Sequence, residues 1–405
     1  MVERVIGSVS PQVLLDNIHP SHIDEFLTPF NNYIEDLSIE NRLNVNIRRK
    51  PNDKINPILR LAESKDANVI ADIVKEDYEG TYPYKEMEDP EEIAKMIQRG
   101  NHKFFLFLDG SGKVMGSTCY VLDFKEKKGY VRSFVVRKDS LGLMDAKKAY
   151  VGSFLQVLKK YNGRILLWWG EARTADVKSQ YINRLCSLRP IALMPNKDRF
   201  YNNIESDVLI ISYNNNLFRR YRSNKKPRII PCVFGPYSFS RKRYGLESPI
   251  IIKFQNKLNP KKLCKKTNKV IVQKKIDKFG YNHYNLKMKD SSSYLKFTYT
   301  PTVQNFEKTE YKVKNPFELT ILIDKFKFLA NKLNVRYSEV YVNGYNAIHQ
   351  QIFYDNGFFP RGYIPAWRLN KENGFFEDYI LFNKYNEKIN KINLIQEGRE
   401  LLRFI

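Results

Sequence analysis

A chain of 405 residues with 42% apolar and 14% aromatic side chains holds enough hydrophobic material for two cores, which excludes a disordered protein or a single small domain. Its formal charge of +24 is uneven, because residues 215–290 carry 21 Lys or Arg against three acids, a local balance of +18; such a cluster either faces water or meets a phosphate-rich partner such as RNA. Cys119, Cys186, Cys232 and Cys264 form no C-x-x-C pair, the start shows no basic-then-apolar leader, and no run of about 18 apolar residues occurs, so the expectation is a reduced, cytoplasmic protein with no metal and no membrane insertion.

Residues 1–57 predict a helical arm: one helix around His22–Leu37, then the polar run Asn46–Pro57. From Ile58 the elements alternate. Ile58–Glu63 reads as a strand, Ser64–Tyr78 as a helix with apolar residues at helical spacing, and Asp89–Gly100 as a second helix opened by proline and acids. His102–Val136 divides into three strands at the turns Asp109–Gly112 and Lys125–Gly129. A loop and long amphipathic helix follow over Arg137–Gly163, then the strand Arg164–Ala172, the helix Ala175–Leu188 and the strands Pro190–Pro195 and Asp207–Asn214.

That order, over residues 58–214, resembles the GCN5-related N-acetyltransferase (GNAT) superfamily. In that family the fourth strand enters a turn of the form V-x-P-x-x-R-G-x-G-x-G/A, whose unpaired N–H groups at a helix start bind the diphosphate of coenzyme A. The matching run here is Val136 to Ala146, with Leu141 in the basic place, Gly142 as the first glycine, Met144 in the middle glycine place and Ala146 as the last small residue. The resemblance implies that Val135, Val136, Leu141, Gly142, Leu143, Met144, Asp145 and Ala146 contact acetyl-CoA. Asp145 is out of place there, since a carboxylate repels a diphosphate.

The later family signature N-x-x-A-x-x-x-Y-x-x-x-G-F falls on Asp176, Ser179, Asn183, Ser187 and Leu188. Ser179 would then lie beside the coenzyme. Asn183 replaces the proton-donating tyrosine and has no proton to give at neutral pH, which leaves Tyr181 as the candidate acid. Glu171, at the end of a strand, is the candidate base, and Thr174 lines the same centre. A backbone N–H near Val135 or Val136 would polarise the acyl carbonyl. Tyr82 and Tyr84, in the connection that covers the acceptor in this fold, are expected to line the amine pocket.

Residues 215–245 read as a basic linker, and residues 246–405 as a second GNAT-like domain. Its signature is fuller, Asn346, His349, Phe353, Gly357 and Phe358, and Gln180, Ile182, Pro190 and Pro195 recur as Gln350, Ile352, Pro360 and Pro365, 170 positions later. Its helix at Asn315 is entered without glycine, and Pro316 removes an N–H, so this copy is expected to lack chemistry. The fold expected is mixed α/β, two sheets each flanked by helices. The activity expected is acetyl-CoA-dependent acylation of an amine; the alternatives are a non-catalytic binding protein, or an aminoacyl-tRNA-dependent transferase using the basic segment.

Overall fold

The computed structural model describes residues 4–6, 20–31, 36–45, 54–255 and 269–405. The first half builds a nine-stranded sheet of order β1-β2-β3-β4-β5-β6-β7-β9-β8. In chain order its elements are β1 (Arg4–Ile6), α1 (Ile23–Leu27), β2 (Asn41–Leu43), β3 (Ile58–Leu61), α2 (Ala67–Asp77) and α3 (Pro90–Gln98). Then come β4 (His102–Leu108), β5 (Val114–Asp123), β6 (Lys128–Val136), α4 (Ala146–Lys160), β7 (Leu167–Arg173), α5 (Lys178–Leu185), β8 (Arg189–Phe200) and β9 (Asn203–Tyr213). The arm therefore adds two strands to the sheet edge as well as a short helix.

Local causes match the sequence pattern. Asp89 accepts the Glu92 N–H at 3.1 Å and Pro90 supplies a preset first turn, so α3 starts there. In the β4–β5 hairpin, Asp109 accepts the N–H groups of Ser111 (2.8 Å) and Lys113 (2.9 Å), and Gly112 takes φ +88°.

The expected linker is folded, which corrects the reading of residues 215–245. Leu217, Ile229, Ile230, Val233, Tyr237 and Phe239 are buried, and the segment forms β10 (Arg228–Ile229) and α6 (Phe234–Tyr244). Its cations mask a core-facing side. Beyond it lie β11 (Ile250–Ile251), β12 (Val270–Ile276), β13 (Asn282–Met288), β14 (Tyr294–Thr300), β15 (Asn305–Lys312), α7 (Pro316–Lys332), β16 (Tyr337–Asn343), α8 (Ala347–Asp355), β17 (Phe359–Leu369), β18 (Phe376–Tyr385) and α9 (Gln396–Leu402).

The second sheet runs β12-β13-β14-β15-β16-β18-β17, the same order as β3-β4-β5-β6-β7-β9-β8. Over these seven strands both are mostly antiparallel with one parallel pair, β6/β7 and β15/β16; the edge pair β1/β2 of the first sheet is parallel too. Where α2 and α3 stand in the first unit, the second has only a turn between β12 and β13, closed by Asp277, whose carboxylate accepts the Phe279 and Tyr281 N–H groups at 3.0 Å each.

The two units join along β8 and β17. A Cβ at Gly362 would overlap Ala192 Cβ and come within 2.5 Å of the Ile191 carbonyl oxygen, so only glycine allows the strands to approach this closely. One hydrophobic cluster runs through both units, joining Trp168, Leu193's neighbours Ala192 and Met194, and Tyr337, Ile364 and Trp367.

Each unit is also held by a segment from beyond the other. Gln180 donates to the Asn393 carbonyl (2.8 Å) and the Arg173 carbonyl (3.2 Å) and accepts the Ile395 N–H (3.2 Å). Gln350, 170 positions on, donates to the Arg228 carbonyl (2.9 Å) and the Asn343 carbonyl (3.1 Å) and accepts the Ile230 N–H (3.1 Å). Both glutamines are fully buried, so each needs these partners. The helix that follows each strap, α9 or α6, packs on β8 or β17 respectively. The recurrence of glutamine in the sequence thus has a structural reason.

Candidate active site

In the first sheet β6 and β7 stay in register from Lys128 opposite Leu167 to Val131 opposite Gly170, then part. The parting begins at a bulge: Cys119 faces Ser133 and Tyr120 faces Val131, which leaves Arg132 extra. In the second sheet β15 shows a similar break, with Lys308 and Thr309 together opposite Phe297 and so one residue extra between the partners Glu307 and Glu310, and Lys308 at φ +53°. Along β6 the Arg137 N–H binds the Met115 carbonyl at 2.9 Å. Ladder alternation then turns the Val135 N–H toward β5 and the Val136 N–H into the parting. Val136 therefore presents its N–H to the open space between β6 and β7.

Below it, Gly142 sits at φ +83° with open space around it, and Leu141 and Leu143 are exposed. Five of the neighbouring N–H groups are already bonded within the chain. Leu143 and Met144 donate to Ser140 O (3.2 Å each), Asp145 donates to Ile55 O (2.8 Å), Ala146 to Met144 O (3.0 Å), and the Lys148 N–H is capped by the Asp145 carboxylate (3.2 Å). The cations of the turn are paired as well, Arg137 with Glu76 (3.3 Å) and Lys138 with Glu79 (2.7 Å). A diphosphate needs free N–H groups and no carboxylate at a helix start. The turn as it stands does not fit the diphosphate of coenzyme A.

Ser179 donates to the Arg173 carbonyl (3.3 Å). Asn183, in the place of the expected tyrosine, accepts the hydroxyl proton of buried Tyr150 on α4. Tyr181 is held by Lys147, whose ammonium lies 3.1 Å from its hydroxyl and 4.7 Å from its ring centre. Thr174 is buried and donates to the Ser206 carbonyl at 2.6 Å, a structural position rather than a wall of the site. Tyr82 is likewise packed away, against Tyr78 and Phe200.

Glu171 and Tyr84 do meet, in a cleft of about 800 Å³ between the two units. One wall is the first sheet, with Lys128, Tyr130, Arg132, Trp169 and Glu171; the other is the second, with Glu307, Glu339, Tyr341 and Trp367. The second unit also holds the connection that carries Tyr84: the Tyr281 hydroxyl accepts the Lys85 N–H (2.6 Å) and donates to Glu86 (2.9 Å), and Lys278 pairs with Asp89 (2.7 Å).

At the base of the cleft the Lys197 ammonium, buried, lies 2.5 Å from Glu171 and 4.0 Å from Glu339. Burial disfavours its charge, yet the attraction of Glu171 and Glu339 outweighs this and holds its pKa above the lysine range. Burial pushes the Glu339 carboxyl up to about 7, against the pull of Lys197, with Glu171 and Glu307 adding to the rise. Nearby, Asp198 and Asp207 are both raised by burial, Asp207 to about 6. Lys128 is buried with its ammonium 4.0 Å from the Trp367 ring centre, and burial lowers it to about 7. Lys197, Glu339 and Lys128 escape a sequence reading. Only Glu339 gives a signal, a carboxylate inside a mostly apolar strand; Lys197 sits in the polar run Asn196–Arg199 and Lys128 at the start of β6.

Among the described residues no group of three or more His, Cys, Asp or Glu is placed to hold a metal ion, and no helix is long and apolar enough to cross a membrane. The basic segment is partly committed internally. Arg222 forms a buried pair with Asp378 (2.5 Å), and Arg243 donates to the Pro190 carbonyl. Residues 256–268, with five of its lysines and Cys264, lie outside the described residues.

No protein-family model matches the chain, and no curated protein matches it. Among solved structures it is similar to an N-acetyltransferase from Staphylococcus aureus Mu50 (14% identity, 39% of this chain, 98% of that one, TM-score 0.34). It is similar also to a ribosomal-protein-S5-alanine acetyltransferase from Vibrio fischeri (16%, 39% and 93%, 0.33) and to a spermidine N-acetyltransferase from Vibrio cholerae (11%, 40% and 96%, 0.34). By its own strand order, its bulged fourth strand and its parted parallel pair, the chain has a GNAT-type fold.

Proposed function

We propose that the protein is an N-acyltransferase whose amine acceptor binds in the cleft between the two units, and that the second unit is a second copy of the fold that completes this cleft. The observation that carries the reading is the cluster Glu171–Lys197–Glu339, in which carboxylates from both units share one buried ammonium beside aromatic walls. An ammonium substrate fits such a place, since ring faces and carboxylates both attract cations.

In this reading the Val136 N–H polarises the acyl carbonyl, the amine nitrogen forms the amide bond as the acyl–carrier bond breaks, and the proton lost by the amine goes to the carboxylate pair while the carrier leaves and takes a proton from solvent. Glu339, held near neutrality, is the better acceptor of that proton, and Glu171 orients Lys197. Tyr84 and Trp169 exclude water. Since the turn at Gly142 does not fit a diphosphate, no step is assigned to coenzyme A. The filled turn favours a second reading of the donor, an acyl group on a larger carrier such as aminoacyl-tRNA, with the basic segment as counter-charge.

Acetyl-pantetheine, acetyl-CoA and aminoacyl-tRNA, each offered with a panel of primary amines, test the reading by mass spectrometry of the products. Acylation should occur with at least one donor and fall by about 10²-fold in Glu339→Gln. Acylation of no amine, together with no amine binding by calorimetry, would leave a non-catalytic binding protein instead.

A further inference from the structure

The parting of the second sheet is an open cavity. β15 and β16 are in register over only two pairs, Asn305 with Tyr337 and Phe306 with Ser338, and the space beyond is about 700 Å³. It is lined by the end of β15 (Tyr311, Lys312, Val313), the end of β16 (Asn343) and the first turn of α8 (Asn346 to His349). These occupy the positions that Val135, Val136, Arg173 and residues 176–179 occupy in the first unit. Tyr341, Arg368, Glu377 and Tyr379 line both this cavity and the interunit cleft, so the two spaces adjoin.

Its charge is positive. Lys225 and Arg228 reach it from the crossing segment that straps Gln350, and Lys312 from β15. All three are exposed, and among the described residues none of their side chains has an ion pair or hydrogen bond. The one carboxylate on the wall, Glu377, is held by the amides of Asn343 (2.7 Å) and Asn370 (3.1 Å). His349 adds no charge at neutral pH, since burial lowers it to about 4. The helix start that the family would use for phosphate is closed here: Asn315 caps the Glu318 N–H at 3.0 Å, Pro316 has none, and the Glu318 carboxylate is bound by Ser291 (3.0 Å) and Ser293. Recognition would therefore rest on side-chain cations, in a cavity whose tyrosines and Phe254 offer flat apolar faces.

We propose that the parting of the second unit binds a phosphate-bearing ligand, with its phosphates on Lys225, Arg228 and Lys312 and its other end directed past Tyr341 into the cleft. The ligand is either the nucleotide-bearing donor or a nucleotide-bearing acceptor; that naming rests on the transferase reading above, whereas phosphate binding itself does not.

Calorimetry of the full chain with ADP and with desulfo-coenzyme A tests it. At least one should bind saturably, more weakly as salt rises. Charge reversal at two exposed positions, Arg228→Glu with Lys312→Glu, should weaken it roughly tenfold or more, whereas Gly142→Glu should leave it within about twofold. Desulfo-coenzyme A binding roughly tenfold tighter than ADP identifies the donor as the source; equal binding identifies a nucleotide-bearing acceptor. As a second measurement, periodate-oxidised ADP, which reacts with nearby lysines, should label Lys225 or Lys312. Binding of neither probe, wild-type affinity in the double variant, loss in Gly142→Glu, or labelling confined to Lys138 and Lys147 would overturn the proposal.

Discussion

The two parted strand pairs differ in what fills them. In the first unit the helix start below the parting is occupied by the chain's own groups, Asp145 and Ile55, and the turn's cations Arg137 and Lys138 are tied to Glu76 of α2 and to Glu79 just after it. In the second, the helix start is also closed, by Asn315 and Glu318, yet the parting itself stays open and borrows cations from the crossing segment. Backbone geometry, with its bulge and parallel pair, is thus kept in both, while binding chemistry is set by a few side chains laid upon it. The lesson is that two units can share one backbone frame, and both close its helix start, yet differ in where cations are left unpaired around the parting.

The comparison is broken most severely at the joint. Gly362→Val places a branched side chain where not even a Cβ fits against Ile191 and Ala192, and should cost about 3 kcal/mol or more. Urea unfolding checks this. An unchanged midpoint would mean that β8 and β17 do not hold the units together. The straps come next. Gln180→Ala and Gln350→Ala each strand a buried N–H and carbonyls, at about 2–3 kcal/mol apiece, and the two losses should agree to within about 1 kcal/mol if the straps are equivalent.

Legibility in the sequence followed the same division. The first unit's strands and helices are readable because turn residues such as Asp109 and Gly112, and caps such as Asp89, mark their ends. In the second unit β13 is hidden by propensity rather than pattern: Tyr284, Leu286 and Met288 alternate with His283, Asn285 and Lys287, but the strand holds no β-branched residue and two asparagines. The helix α6 escapes because Gly235 and Pro236 sit in its first turn and Arg241, Lys242 and Arg243 in its last, so it reads as linker. The site was half legible. Glu171 and Tyr84 stand where the fold puts them, but Lys197 and Glu339 owe their role to the meeting of two units, and no local pattern encodes that meeting. The closure of the Gly142 turn was foreshadowed only by Asp145; the part played by Ile55 is a long-range contact.

The cleft's buried carboxyl gives a third, smaller test. Glu339 has a folded pKa of about 7 against 4.5 ordinarily. A raised carboxyl binds its proton more tightly in the folded state, so its contribution is fully present below pH 4.5 and is lost as pH rises through 7. Between pH 5 and 8 the wild type should therefore lose stability relative to Glu339→Gln, by on the order of 1–3 kcal/mol. Unfolding midpoints at several pH values decide it, and parallel curves for the two proteins would remove Glu339 as a group that titrates near neutrality.

The mildest change sharpens the comparison most. Asp145→Ala removes the carboxylate that caps Lys148 and should cost only about 1 kcal/mol, since the remaining turn bonds and the Ile55 contact stay. It also frees an N–H and removes a negative charge at the positive end of α4. If the first unit is closed to phosphate by that carboxylate, the variant should be raised in melting temperature by inorganic pyrophosphate by more than the wild type is. Adding Arg228→Glu and Lys312→Glu to silence the second cavity isolates the effect. A variant that pyrophosphate stabilises no more than its parent would show that Ile55 and the turn bonds close the first unit without help from Asp145.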